Sequence, residues 1–75
     1  MKLINIVSEN PDGVLMGTWL FDDFDQAEKF MKRHMAYQPS LCWYALLFDT
    51  DVKNGVGAIS SYEIGDDPNK IKNFK

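Results

Sequence analysis

The stretch DDFDQAEKFMKRHMAYQ, residues 22–38, constrains the fold more than any other part of the chain. At about 100° per residue, Phe24, Ala27, Phe30, Met31, His34, Met35 and Tyr37 fall on one arc of roughly 160°, and the remaining positions are mostly charged. Asp22 or Asp23 can cap its start. Asp25, Gln26 and Glu28 suit the positive end of a helix, while Lys29, Lys32 and Arg33 fall where the macrodipole favours cations. Pro39 and Ser40 stop it. The pattern therefore predicts one amphipathic surface helix. One helix can cover only one face of a sheet, so whatever the rest of the chain builds must meet that limit.

The rest reads as strands. KLINIVSE is followed by NPDG and then VLMGTWLF, with Pro11, Asp12 and Gly13 suited to a turn that closes through a left-handed glycine. Downstream, LCWYALLFDTD and VGAISSYEIG flank VKNG, and Asn54-Gly55 is the strongest short signal for a two-residue hairpin turn. The order is ββαββ. The expected fold class is α+β: a two-layer sandwich with a four-stranded, mostly antiparallel sheet and the helix across one face. Residues 1–65 make the single domain. Residues 66–75 form a polar, lysine-containing tail, expected to be solvated and frayed, or else to dock through Ile71 and Phe74.

The strands raise a difficulty. Neighbouring side chains of a strand point to opposite faces. The third strand sorts into Cys42, Tyr44, Leu46 and Phe48 against Trp43, Ala45 and Leu47. The second sorts into Val14, Met16, Thr18 and Leu20 against Leu15, Gly17, Trp19 and Phe21, and the first sets Ile4 and Ile6 against Leu3 and Val7. A sheet with one wet face normally alternates apolar with polar. Here both sets are apolar, and leaving an aromatic side chain in water forfeits about 1.5–3 kcal/mol of burial. Something must lie on the second face: the tail, a second copy of the chain, or another protein or flat ligand. The expected contact residues are Trp19, Trp43, Tyr44 and Tyr62, with at least one tryptophan outside the helix-covered core.

Charge narrows the partner. All eleven Asp and Glu lie in residues 1–67 with five of the eight Lys and Arg, so this body carries −6, while Lys70, Lys72 and Lys75 give the end +3. An acidic body repels phosphates, which argues against direct nucleic-acid binding. Trp19, Trp43, Tyr44 and Tyr62 could stack nucleobases on a sheet, but that platform needs basic neighbours, and these strands have almost none. No apolar run approaches the roughly 20 residues of a membrane span, and MKLINIVSEN is too short and polar for a signal peptide. The one cysteine, Cys42, cannot form an internal disulfide. A soluble cytoplasmic protein is expected.

No catalytic constellation stands out. His34 could act as a base near neutrality, but it lies inside the helix's apolar arc, where an imidazole bonded to a backbone carbonyl is the plainer reading. Cys42 reads as a packing residue. The acidic clusters FDDFD (residues 21–25) and FDTD (residues 48–51) resemble metal ligands only superficially. In DTDVKNG the glycine falls one place late for a calcium loop, Lys53 takes a ligand position and Ser60 replaces the closing glutamate. Phosphate-loop, dinucleotide and zinc spacings are missing, so no cofactor or metal is expected.

These observations point to a small acidic, non-enzymatic protein-binding module that works by covering a partner's surface, in the manner of an inhibitor or regulator. By analogy of size and charge, this is the kind of protein with which mobile elements block a host's nucleic-acid-handling machinery. Asp22, Asp23, Asp25, Asp49, Asp51 and Glu63 would face a basic partner, and the apolar sheet face would bind it or build a homodimer or larger assembly. The alternative is a small-molecule-binding oligomer or minor enzyme, with an interface pocket around His34 and Tyr37 that could include Trp43 or Tyr62.

Overall fold

The computed structural model describes residues 1–75. Strands β1 (Lys2–Glu9) and β2 (Leu15–Phe21) precede helix α1 (Phe24–Tyr37), which is followed by β3 (Cys42–Lys53) and β4 (Val56–Gly65). A short 3-10 helix, η1 (Pro68–Phe74), ends the chain. The sheet runs β2-β1-β3-β4 and every pairing is antiparallel. Helix α1 thus links β2 to β3 across the central β1, and no helix is long and apolar enough to cross a membrane.

Local chemistry sets these boundaries. Asn10 Oδ1 accepts from the amides of Asp12 and Val14, and Gly13 takes φ 82°, so the first hairpin closes around a side-chain-stabilised turn. At the second, Asn54 (φ 53°) and Gly55 (φ 79°) are both left-handed, as a two-residue turn matching strand twist requires. Asp23 caps α1 by accepting from the Gln26 amide at 3.0 Å.

The helix takes the set containing both tryptophans. Register places Ile6 opposite Trp19 and Ala45, and Ile4 opposite Phe21 and Leu47. Together with Trp43 and Ile64 these residues meet Phe24, Ala27 and Met31 of α1. Trp19 and Trp43 stack with ring centroids 5.8 Å apart, and Trp43 is only 5% exposed, its Nε1 donating to the Gln38 carbonyl. This corrects the expectation that at least one tryptophan lies outside the covered core. Both belong to the odd-numbered sets of their strands, and β1 aligns those two sets on one face.

Of the two expectations for the tail, the structure shows the docked one. Asp67 accepts from the Asn69 amide and Pro68 opens η1, whose Ile71 is fully buried and packs with Phe74 against the core beside α1. Lys75 Nζ then donates to Asp25 Oδ1 at 2.9 Å. Residues 66–75 are therefore part of the domain, docked on the helix side, and leave the second sheet face bare.

The body of the sheet ends before β3 does. The β1–β3 register stops at Lys2 opposite Asp49, with the backbone of Met1 reaching Thr50. Residues 51–63 are exposed throughout, and beyond Asp49 the end of β3 and the start of β4, Thr50–Lys53 paired with Val56–Ile59, form a two-stranded arm, in a molecule measuring 44 × 25 × 15 Å.

Candidate functional site

Two surfaces remain without intramolecular cover: the second face of the sheet and the arm. The open face carries Leu3, Asn5, Val7 and Glu9 from β1, Thr18 and Leu20 from β2, and Tyr44, Leu46 and Phe48 from β3. Its centre is closed by its own neighbours: Val7, opposite both Thr18 and Tyr44, is buried. Asn5 is also buried and satisfied, its Nδ2 donating to Thr18 Oγ1 at 2.7 Å and to the Trp19 carbonyl at 3.0 Å. Around that centre Leu20 is 63% exposed, and Leu3, Tyr44, Leu46 and Phe48 are half-buried.

The charges on this face are of one sign. Among the paired strand residues on it, only Glu9 and Glu63 are ionised, with Glu63 opposite Leu46. The Tyr44 hydroxyl donates to Glu9 Oε1 at 2.7 Å. That bond favours the neutral phenol, and with partial burial and the charges of Glu9 and Glu63 it raises the Tyr44 pKa above its ordinary value.

The other predicted acids are elsewhere. Asp22, Asp23 and Asp25 open α1, and Asp49 and Asp51 lie where the arm leaves the body, so all five gather at one end of the sheet. Cations are interleaved with them. The N-terminal ammonium lies 3.6 Å from Asp49, Lys53 lies 3.9 Å from Asp51, and Lys75 binds Asp25 and holds its carboxyl below the ordinary range. Asp23 is occupied by its capping bond. The six acids thus divide into a partly neutralised end and a separate Glu63 on the open face. No group of three or more His, Cys, Asp or Glu converges to hold a metal ion.

Of the residues of the alternative pocket, His34 and Trp43 lie in one aromatic layer, while Tyr37 and Tyr62 lie outside it. His34 is half-buried, its Nδ1 3.1 Å from the Phe30 carbonyl and its ring stacked on Phe30 at 3.9 Å, within an aromatic layer that includes both tryptophans. Tyr37 is exposed and lines neither hollow of the surface. One hollow, about 160 Å³, lies among Phe21, Gln26, Lys29, Phe30, Arg33 and His34, and a more open one of about 380 Å³ lies beside Leu41, Cys42 and Trp43. Cys42 is exposed at the start of β3, contrary to its expected packing role.

Of the expected aromatic contacts, only Tyr44 lies on the open face of the sheet body. Tyr62, opposite Leu47, is on the helix side of the sheet at its β4 edge, 55% exposed. Pattern reading missed the arm's Val52, Val56 and Ile59, all exposed. The signal for them was length: the third strand outruns the first, leaving its last residues, 50–53, no strand to pair with on that side.

No family model matches the chain, and no curated protein and no solved structure matches it.

Proposed function

We propose that the protein is a small acidic, non-enzymatic protein-binding module that acts inside the cell as an inhibitor or regulator, by laying its open sheet face over a partner's surface. The observation that carries this reading is the open face itself, an apolar patch of Leu3, Leu20, Leu46 and Phe48 whose only ionised neighbours on the strands are Glu9 and Glu63. A contiguous apolar patch rimmed by charge is the ordinary form of a binding surface. Its single sign selects the partner's chemistry: an apolar surface edged with Lys or Arg, as on proteins that handle nucleic acid. The pairing of Asp25, Asp49 and Asp51 with cations makes them secondary, favouring steering over close contact.

The test is recovery of a partner by tagged wild type from its native cell, repeated with Leu46→Arg and with Glu9→Lys/Glu63→Lys. The expected result is one basic protein that binds wild type, weakens with added salt and is lost with both variants while their circular dichroism is unchanged. A partner indifferent to salt and to all three substitutions overturns the reading. So does a metabolite that raises the thermal midpoint of the wild type while no protein binds.

A further inference from the structure

The geometry points to a second interface distinct from the open face: two copies of this chain join through the outer edge of β4, strand to strand and antiparallel, about a twofold axis at Ile59. Strand β4 pairs with β3 alone. None of the backbone hydrogen bonds outside the helices and strands, and no side-chain bond, involves residues 56–65. One row of its amides and carbonyls therefore faces outward without a protein partner. The two-residue turn fixes which row. Lys53 and Val56 flank the turn as a mutually bonded pair, so Val56, Ala58, Ser60 and Tyr62 turn their backbone groups toward β3. Gly57, Ile59 and Ser61 turn theirs outward.

Soluble proteins protect such edges with charge, proline, bulges or brevity. Residues 56–62, VGAISSY, contain no charge and no proline, and the irregularity in β4 pairing falls at the body end, opposite Ala45 and Leu46. The opposite edge, β2, is shorter, and its register shifts near its start, where Glu9 meets Leu15. Residues 56–63 are all exposed, so neither α1 nor η1 covers the stretch an incoming strand would meet. What fits an open strand edge is another extended backbone.

A second copy supplies one with matching chemistry. With Ile59 opposite Ile59 of the other copy, Gly57 meets Ser61 and Val56 meets Tyr62. The three outward residues of each copy would then exchange about six backbone hydrogen bonds, two per closely spaced pair. Tyr62 and Val56, 55% and 73% exposed in one copy, would cover each other on the helix side, and the two Ile59 side chains, 71% exposed, would meet on the open side. No like charges are opposed within the uncharged run. A face-to-face pairing would instead bring Glu9 and Glu63 of two acidic bodies together. The arrangement is isologous, as a twofold dimer requires, and it turns two four-stranded sheets into one continuous sheet. A contact of one strand from each copy is at the small end of protein interfaces, so the dimer should dissociate on dilution.

Sedimentation equilibrium over a dilution series tests this on wild type, Ile59→Lys and Ile59→Glu, separately and mixed. Each variant places like charges opposite each other at the twofold axis; an equal mixture places Lys opposite Glu. Expected are a concentration-dependent wild-type dimer, at least a tenfold loss of association for each variant alone, and recovery in the mixture, with unchanged circular dichroism throughout. A wild type that stays monomeric at high micromolar concentration overturns the proposal. So does a dimer that survives both substitutions, or a mixture that fails to associate. Leu46→Arg, which tests the open face, should leave this dimer intact, so the two surfaces succeed or fail separately.

Discussion

The two faces of this sheet are built from nearly the same residue types and end in opposite states. On one, Ile4, Ile6, Trp43, Ala45 and Leu47 are almost wholly excluded from water beneath α1 and η1. On the other, Leu3, Leu20, Leu46 and Phe48 occupy the alternate positions of the same strands with nothing above them. Hydrophobicity alone did not choose between them. The choice rests on what else each set could supply: two indoles that stack on each other and meet the helix's stacked Phe30–His34 pair at a tilt, and Gly17, over whose bare backbone the Trp19 ring lies. A side chain at Gly17 would meet that ring. The covered face is thus a jigsaw, whereas the open face is only apolar. The first kind of surface specifies a fold and the second leaves room for a partner.

Truncating one side chain to alanine on each face tests the difference most directly. Trp43→Ala should cost about 3–5 kcal/mol, because it empties a packed site and removes the indole N–H bond to the Gln38 carbonyl. In a domain of this size that threatens folding itself. Leu20→Ala, on the open face, should cost well under about 1 kcal/mol, since most of that side chain is already in water. Urea midpoints decide the matter, and equal losses at the two positions would erase the distinction between the faces.

A smaller effect sharpens the open side. Tyr44→Phe removes the hydroxyl that binds Glu9 and should cost about 0.5–1.5 kcal/mol at neutral pH. The sign of its pH dependence follows from the raised pKa. The neutral phenol is favoured in the folded state, so this stability is complete below the ordinary tyrosine value of 10.0 and is lost as pH rises through the higher folded value. Wild type and variant should converge in strong alkali. A difference that persists there would mean the hydroxyl is not the cause.

The smallest effect lies on the covered side, at the C-terminal latch. Lys75 binds Asp25 in full contact with water, so Asp25→Asn should produce a slight loss of stability that added salt removes. Because Asp25 titrates below its ordinary 3.8 when folded, this contribution is present above 3.8 and disappears as pH falls through the lower folded value. A urea midpoint that shifts equally at neutral and strongly acid pH would contradict the pairing.

The local elements were legible in the sequence because each carries its own signal: the helix period, the Asp23 cap, and the left-handed residues of the two turns. The ββαββ order and the antiparallel sheet followed from them. Strand order was not legible, since several orders keep both hairpins intact. The covered face was not legible either, since both alternate sets are apolar and only the β1 register decides which residues join Trp19 and Trp43. The docking of residues 68–74 had a signal that went unused: Asp67 before Pro68 is a helix-start pattern as clear as the one at Asp23. Its short 3-10 turn lacks the longer periodicity by which α-helices announce themselves. The surface behind the proposed binding function was foreseen as an apolar sheet face, but its aromatic residues were largely misplaced, because an aromatic residue is as suited to a core as to an interface.

The paired indoles also make the molecule its own optical gauge. Trp19 and Trp43 are its only tryptophans, and they lie on the seam where helix meets sheet, 5.8 Å from each other and about 6 Å from His34. All of the indole emission therefore originates at the junction of the two layers, and none from the open face or the arm. A ligand on either of those surfaces should leave the spectrum nearly unmoved, while any lifting of α1 should redden it at once. Silence and signal in one cuvette would then separate surface binding from opening of the fold.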